Sequence, residues 1–143
     1  MARSATPAID CAEEVAHEWI NELGDYLDWS DNARIYGFLR ATLHAIRDFL
    51  TVEEVAQLAA QFPVLIRGVY FEGWNPTINP AKPRNLEAFM ARVSEKFPLE
   101  RVEDPEAGVA AVVKLLNRRV SAGEMAHVRQ AMRKDLRFLF PEP

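Results

Sequence analysis

The chain has 143 residues, of which 49% are hydrophobic and 27% charged, so it can bury a sizeable core and is not disordered by composition. No apolar run approaches the ~20 residues of a membrane-spanning helix, and the opening MARSATPAID has neither the apolar stretch of a secretory signal nor the arginines of a transit peptide. A net charge of −4 and a single cysteine, Cys11, exclude an internal disulfide framework and give no support to nucleic-acid binding. The expectation is a soluble cytoplasmic protein with no cofactor, no membrane partner and no nucleic-acid partner.

A first helix is predicted to open at Asp10, with Glu13 completing a capping-box pattern and Val15, Trp19, Ile20, Leu23, Tyr26 and Leu27 forming one apolar stripe. Asp28, Ser30, Asp31 and Asn32 supply turn and cap chemistry before a second helix that runs to about Leu50, with Leu39, Leu43, Ile46 and Leu50 as its seam. Thr51 followed by Glu54 is a second capping box, which assigns Glu54 to the helix start rather than to catalysis. Pro63 should break the third helix, because proline lacks an amide donor and restricts Phe62, and a short fourth helix should follow from Val64 to about Phe71.

Residues 73–85, GWNPTINPAKPRN, have three prolines and no helical period, and read as a connector longer than the usual bundle loop. A second unit opens at the cap Asn85, with Leu86, Phe89, Met90, Val93 and Phe97 as its stripe. Asp104-Pro105-Glu106 marks another helix start, and Ser121 with Glu124 repeats the capping box. With Arg133 where the first unit has Pro63, the last helix is expected to run on smoothly to Phe140.

Shifted by seventy residues, the apolar skeleton overlays on itself without a gap. Trp19 falls on Phe89, Leu23 on Val93, Leu43 on Val113, Leu58 on Val128 and Tyr70 on Phe140. Internal repetition of this kind sets architecture ahead of local detail. It predicts an all-α fold, a single helical-bundle domain over 1–143. Two tandem copies of a three-to-four-helix unit, about 10–74 and 85–141, would share one core about an approximate twofold axis.

The phrase FLTVEEVAQLAAQFPVLIRGVYFEGWNP, residues 49–76, with its echo VSAGEMAHVRQAMRKDLRFLF at 120–140, resembles domain-of-unknown-function family 2267, an uncharacterised prokaryotic family. The resemblance runs from about Val15 to Phe140 and implies an all-helical fold. The echo departs from the pattern at Arg133 and Lys134, where proline is expected. The family brings no catalytic residues to carry over.

No Gly-rich phosphate cradle, nucleophile elbow or HExxH is present, so catalysis has the weakest support. His17, His44 and His127 fall on different predicted helices and do not form a metal set. The best binding candidate is Arg67 with Tyr70, Phe71 and Trp74, where a planar guanidinium among aromatic walls could hold an apolar anion. The competing assignment is structural, since Arg67 recurs as Arg137 and a packing role repeats naturally.

Charge is unequal along the chain. Residues 1–74 carry five Lys/Arg against twelve Asp/Glu, and residues 75–143 twelve against nine. Unlike surfaces of this kind suit head-to-tail self-association or a protein partner. The leading expectation is therefore a non-enzymatic interaction or self-association module, with the small-ligand site near Arg67 and Trp74 as the alternative.

Overall fold

The computed structural model describes residues 6–143 and is all-helical, with no strand among those residues. Seven α-helices follow one another: α1 (Pro7–Leu27), α2 (Asn32–Phe49), α3 (Val52–Ala59), α4 (Val64–Phe71), α5 (Leu86–Lys96), α6 (Pro105–Arg119) and α7 (Ala122–Ala131). Short 3-10 turns lie at Pro76–Ile78 and Leu99–Arg101, and a 3-10 helix at Lys134–Leu139 follows α7.

Helix starts follow side-chain capping. Asp31 accepts from the amides of Ala33 and Arg34, Asn85 from Ala88, and Asp104 from Ala107. Each satisfies an amide that has no partner inside its own helix, which stabilises the start by about 1 kcal/mol. Thr51 and Glu54 form the full reciprocal box.

The predicted elements need correction at four places. The first helix opens at Pro7, not Asp10, because proline at the first helical position has the φ the helix wants and lacks only an amide that would be orphaned anyway. Ser121 Oγ accepts from Glu124 N, but the Ser121 amide donates to Gln61 Oε1 at 3.2 Å, so the second box is only half formed. The connector carries a 3-10 turn instead of being structureless.

The fourth correction concerns the last helix, which does not run on to Phe140. It stops at Ala131, and Arg133 adopts φ −65°, ψ 157°, nearly the backbone of Pro63 at φ −62°, ψ 157°. The break therefore occurs with or without proline. What the two breaks share is an arginine that closes on the freed carbonyls, Arg67 in one and Arg137 in the other.

Packing is reciprocal. The most extensive interhelical contacts pair α2 with α5 and α1 with α6. α3 meets α7, and α2 meets α6. Buried side chains from every α-helix form one cluster, centred on Trp19, Leu23, Phe38, Leu43, Ile46, Phe89, Val113 and Leu116. At the α2–α6 contact, Phe38 lies opposite Gly108, the residue seventy positions on, and a Cβ at 108 would sit 2.9 Å from Phe38 Cζ. Only a glycine leaves room for that ring.

Candidate functional site

Arg67, Tyr70, Phe71 and Trp74 all lie on α4 or just beyond it, but the arginine is turned inward. Its Nε donates to Ala59 O at 2.9 Å and its Nη2 to Phe62 O at 2.8 Å, closing the end of α3. Arg137 does the same after α7, donating from Nε to Met132 O and from Nη2 to Gln130 O. Tyr70 is fully buried, its hydroxyl donates to Val55 O, and burial pushes its phenol well above the usual tyrosine range. The rings of Tyr70, Phe71 and Trp74 form a chain with centroids 5.3 and 5.4 Å apart. Trp74 Nε1 donates to Asn79 Oδ1. The structure thus brings the aromatic residues together, and directs the guanidinium to helix-terminal carbonyls.

Asn79, which the sequence did not single out, ties the connector down. Its Nδ2 donates to Arg47 O and Leu50 O at the end of α2, while Ala81 N donates to Asp48 O. One amide side chain therefore holds the connector to both the α2 terminus and Trp74.

Two polar seams flank the core. On the α2–α5 seam, Asp48 accepts from Arg47 Nε at 2.9 Å and from Arg92 Nη1 at 3.0 Å. Arg47, buried in its turn, also donates to the carbonyls of Tyr70 and Glu72. His44, 1% exposed, lies between Val69 O and Lys96 Nζ, each at 2.6 Å. An ammonium can only donate, so Nδ1 of His44 accepts from Lys96 and Nε2–H donates to the Val69 carbonyl. Burial, outweighing the Val69 bond and helped by the charges of Arg47, Lys96 and Arg40, lowers the His44 pKa to about 4. Arg40 pairs with Glu72 at the solvent edge.

On the α1–α6 seam the same positions carry different chemistry. Glu22 accepts from Arg118 Nε at 2.9 Å, Arg119 Nη2 at 2.7 Å and the Tyr26 hydroxyl. Burial opposes ionisation of Glu22, but the bonds from Tyr26 and Arg119 and the two arginine charges outweigh it and hold its pKa below the usual range. Lys114 Nζ lies 4.2 Å from the Tyr26 ring centre, a cation–π contact.

Between α3 and α7 opens a cleft of about 330 Å³, lined by Glu54, Gln57, Glu124, His127 and Gln130 over a floor of Leu50 and Val128. Glu54 is occupied by the Thr51 amide, whereas Glu124 does not make the corresponding capping bond. Burial, partly offset by His127 and reinforced by Glu54, raises the Glu124 pKa. The cleft could present a carboxyl near an imidazole, but no group of three or more His, Cys, Asp or Glu among the described residues could hold a metal ion. The sequence assigned both glutamates to capping, and only the Gln61 contact, a long-range one, separates them.

The outer surface carries large apolar side chains that nothing covers. Val64 is 61% and Leu65 43% exposed on α4, and Phe138 is 58% exposed on the last 3-10 helix. No helix among the described residues is long and apolar enough to cross a membrane.

Fold and surface together define a small all-helical protein with no metal set among its described residues. The chain belongs to the uncharacterized conserved protein family DUF2267, whose family model matches residues 16–139. No curated protein matches it.

Proposed function

We propose that this chain is a non-enzymatic helical interaction module that associates with further copies of itself through unlike surfaces. The carrying observation is the exposure of Val64, Leu65 and Phe138, which with Ile9, Tyr36, Val52 and Ile78 are the exposed large apolar groups among the described residues. Scattered exposed apolar residues are ordinary, but two adjacent ones on one helix and an exposed phenylalanine on another are what a docking surface needs. The approximate twofold relation between the units is part of this proposal, supported by the reciprocal α1–α6 and α2–α5 contacts.

The charge difference between the two stretches supports association less than the sequence suggested. Glu18, Glu22 and Asp48 of the first unit already meet Arg119, Arg118 and Arg92 of the second inside one chain. Association should therefore be driven by apolar contact and persist in salt. Light scattering across protein concentration and ionic strength tests this: mass should rise with concentration and fall little between low salt and ~0.5 M, where surface charges are largely screened. A monomer at every concentration would remove self-association.

A further inference from the structure

Where α3 packs on α7, the two helices leave between them the cleft of about 330 Å³, a volume at the lower end of the range that ligand pockets occupy. Its floor is apolar, from Leu50 and Val128. Its walls carry two carboxyl groups, Glu54 and Glu124, with the side-chain amides of Gln57 and Gln130 and the imidazole of His127. Among the described residues no lysine or arginine lines it.

Glu54 and Glu124 occupy the same place in their helices, three residues after a hydroxyl cap, but their partners differ. Glu54 accepts from the Thr51 amide through Oε1 at 2.8 Å, which leaves its other oxygen free. The Ser121 amide, which would bind Glu124 in the same way, donates to Gln61 instead. Among the described residues no hydrogen bond or ion pair therefore occupies the half-buried Glu124 carboxyl. Burial pushes its pKa up, His127 opposes the rise and Glu54 adds to it. Tyr70, close enough to feel the Glu124 charge, has its hydroxyl committed to the Val55 carbonyl.

We infer that the cleft binds a small organic cation, a primary alkylammonium, with its N–H groups on Glu124 and the free oxygen of Glu54 and its alkyl chain over Leu50 and Val128. An ammonium has three donors and no acceptor, so carboxylate and amide oxygens satisfy it completely. A cation between the two carboxylates also removes their mutual repulsion and gives Glu124 the charge-assisted bond it lacks. An anion would meet two like charges and no lining cation. The cleft thus selects the charge opposite to the apolar anion assigned from sequence to Arg67, whose guanidinium is closed on Ala59 O and Phe62 O. This site does not depend on self-association.

The test is a proton–nitrogen NMR titration of the full chain at about pH 8, where the carboxyl groups are ionised. The probes are n-butylammonium, n-butanol and butyrate. Butylammonium should shift the backbone amides of α3 and α7 and the side-chain amides of Gln57 and Gln130, with a Kd on the order of 1 mM for so small a ligand. Butanol, of nearly the same shape without the charge, should bind about tenfold more weakly or worse, and butyrate should leave these signals in place. Glu124→Gln keeps the shape, removes the charge and breaks no bond of the parent, so it should fold and weaken butylammonium by about tenfold. Shifts confined to other surfaces, equal affinity for butanol or butyrate, or full affinity in Glu124→Gln would overturn the site. Should that variant fail to fold, the three probes on the parent decide the matter alone.

Discussion

The α2–α5 and α1–α6 seams place residues at the same positions, seventy apart, and fill them with opposite chemistry. Asp48 and Arg92 form an ion pair on one seam, and Arg118 and Glu22 form it on the other with the signs exchanged. His44 meets Lys96 on one, and Lys114 covers the ring of Tyr26 on the other. Each position thus demands an attractive partner across the seam and leaves its sign open. The seams differ more in depth. Asp48 and Arg47 have side chains 10% and 3% exposed, whereas Arg118 is 66% exposed, so the first seam is a buried network and the second a rim.

The largest test of that difference is Arg47→Ala. Arg47 neutralises a buried aspartate and holds two carbonyls, so its loss should destabilise by about 3–5 kcal/mol, the usual result of breaking a buried pair. Asn117, seventy residues on, makes one bond to Pro141 O and has an unpartnered buried Oδ1, and Asn117→Ala should change stability by under ~1 kcal/mol. Equal losses in chemical denaturation would break the distinction between the seams.

Acid should act through the first seam. The folded chain holds the His44 pKa at about 4 against an ordinary 6.5, so below 6.5 the unfolded chain binds a proton that the folded chain does not. Stability should fall as pH drops from 6.5 to about 4 and level off below, a loss of about 3 kcal/mol from this group. In His44→Gln that part of the pH profile should be flat; an unchanged slope would place the titrating group elsewhere.

Where the units meet at α2–α6, Gly108→Ala should cost about 1–3 kcal/mol by crowding the Phe38 ring. Adding Phe38→Leu should recover part of that loss in thermal melts, and simple additivity would deny the contact. The smallest effect separates the two capping glutamates. Glu54→Ala removes a reciprocal cap bond and should cost about 1 kcal/mol, whereas Glu124→Ala should be near neutral or slightly stabilising.

Much of this architecture could be read from residue periodicity. The helices around Trp19–Leu27, Leu39–Leu50 and Phe89–Val93 obeyed their stripes, and Asp31, Thr51, Asn85 and Asp104 capped as their types require. Local patterns failed where a distant residue decided the outcome. Gln61 takes the amide that Glu124 was expected to cap, and α7 ends at Ala131 with no proline to stop it. The Arg67 cluster was legible as a cluster, but the direction of a guanidinium depends on which carbonyls the tertiary fold leaves open, and no spacing encodes that. The exposure of Phe138 was hidden for a similar reason: its neighbours Leu136, Leu139 and Phe140 are all buried, and a stripe cannot tell which aromatic is left outside.

The reciprocal pairing of helices also bears on how the chain is made. α1 finds its chief partner in α6, and α2 in α5, so the apolar faces of the first unit are finished only after the second unit exists. At about 5–20 residues per second on a ribosome, the stretch from the end of α1 to the end of α6 takes roughly 5–20 s to synthesise. For that interval Trp19, Leu23 and Phe38 have only the cover that α1, α2 and α4 give one another, with the ring of Phe62 against Trp19.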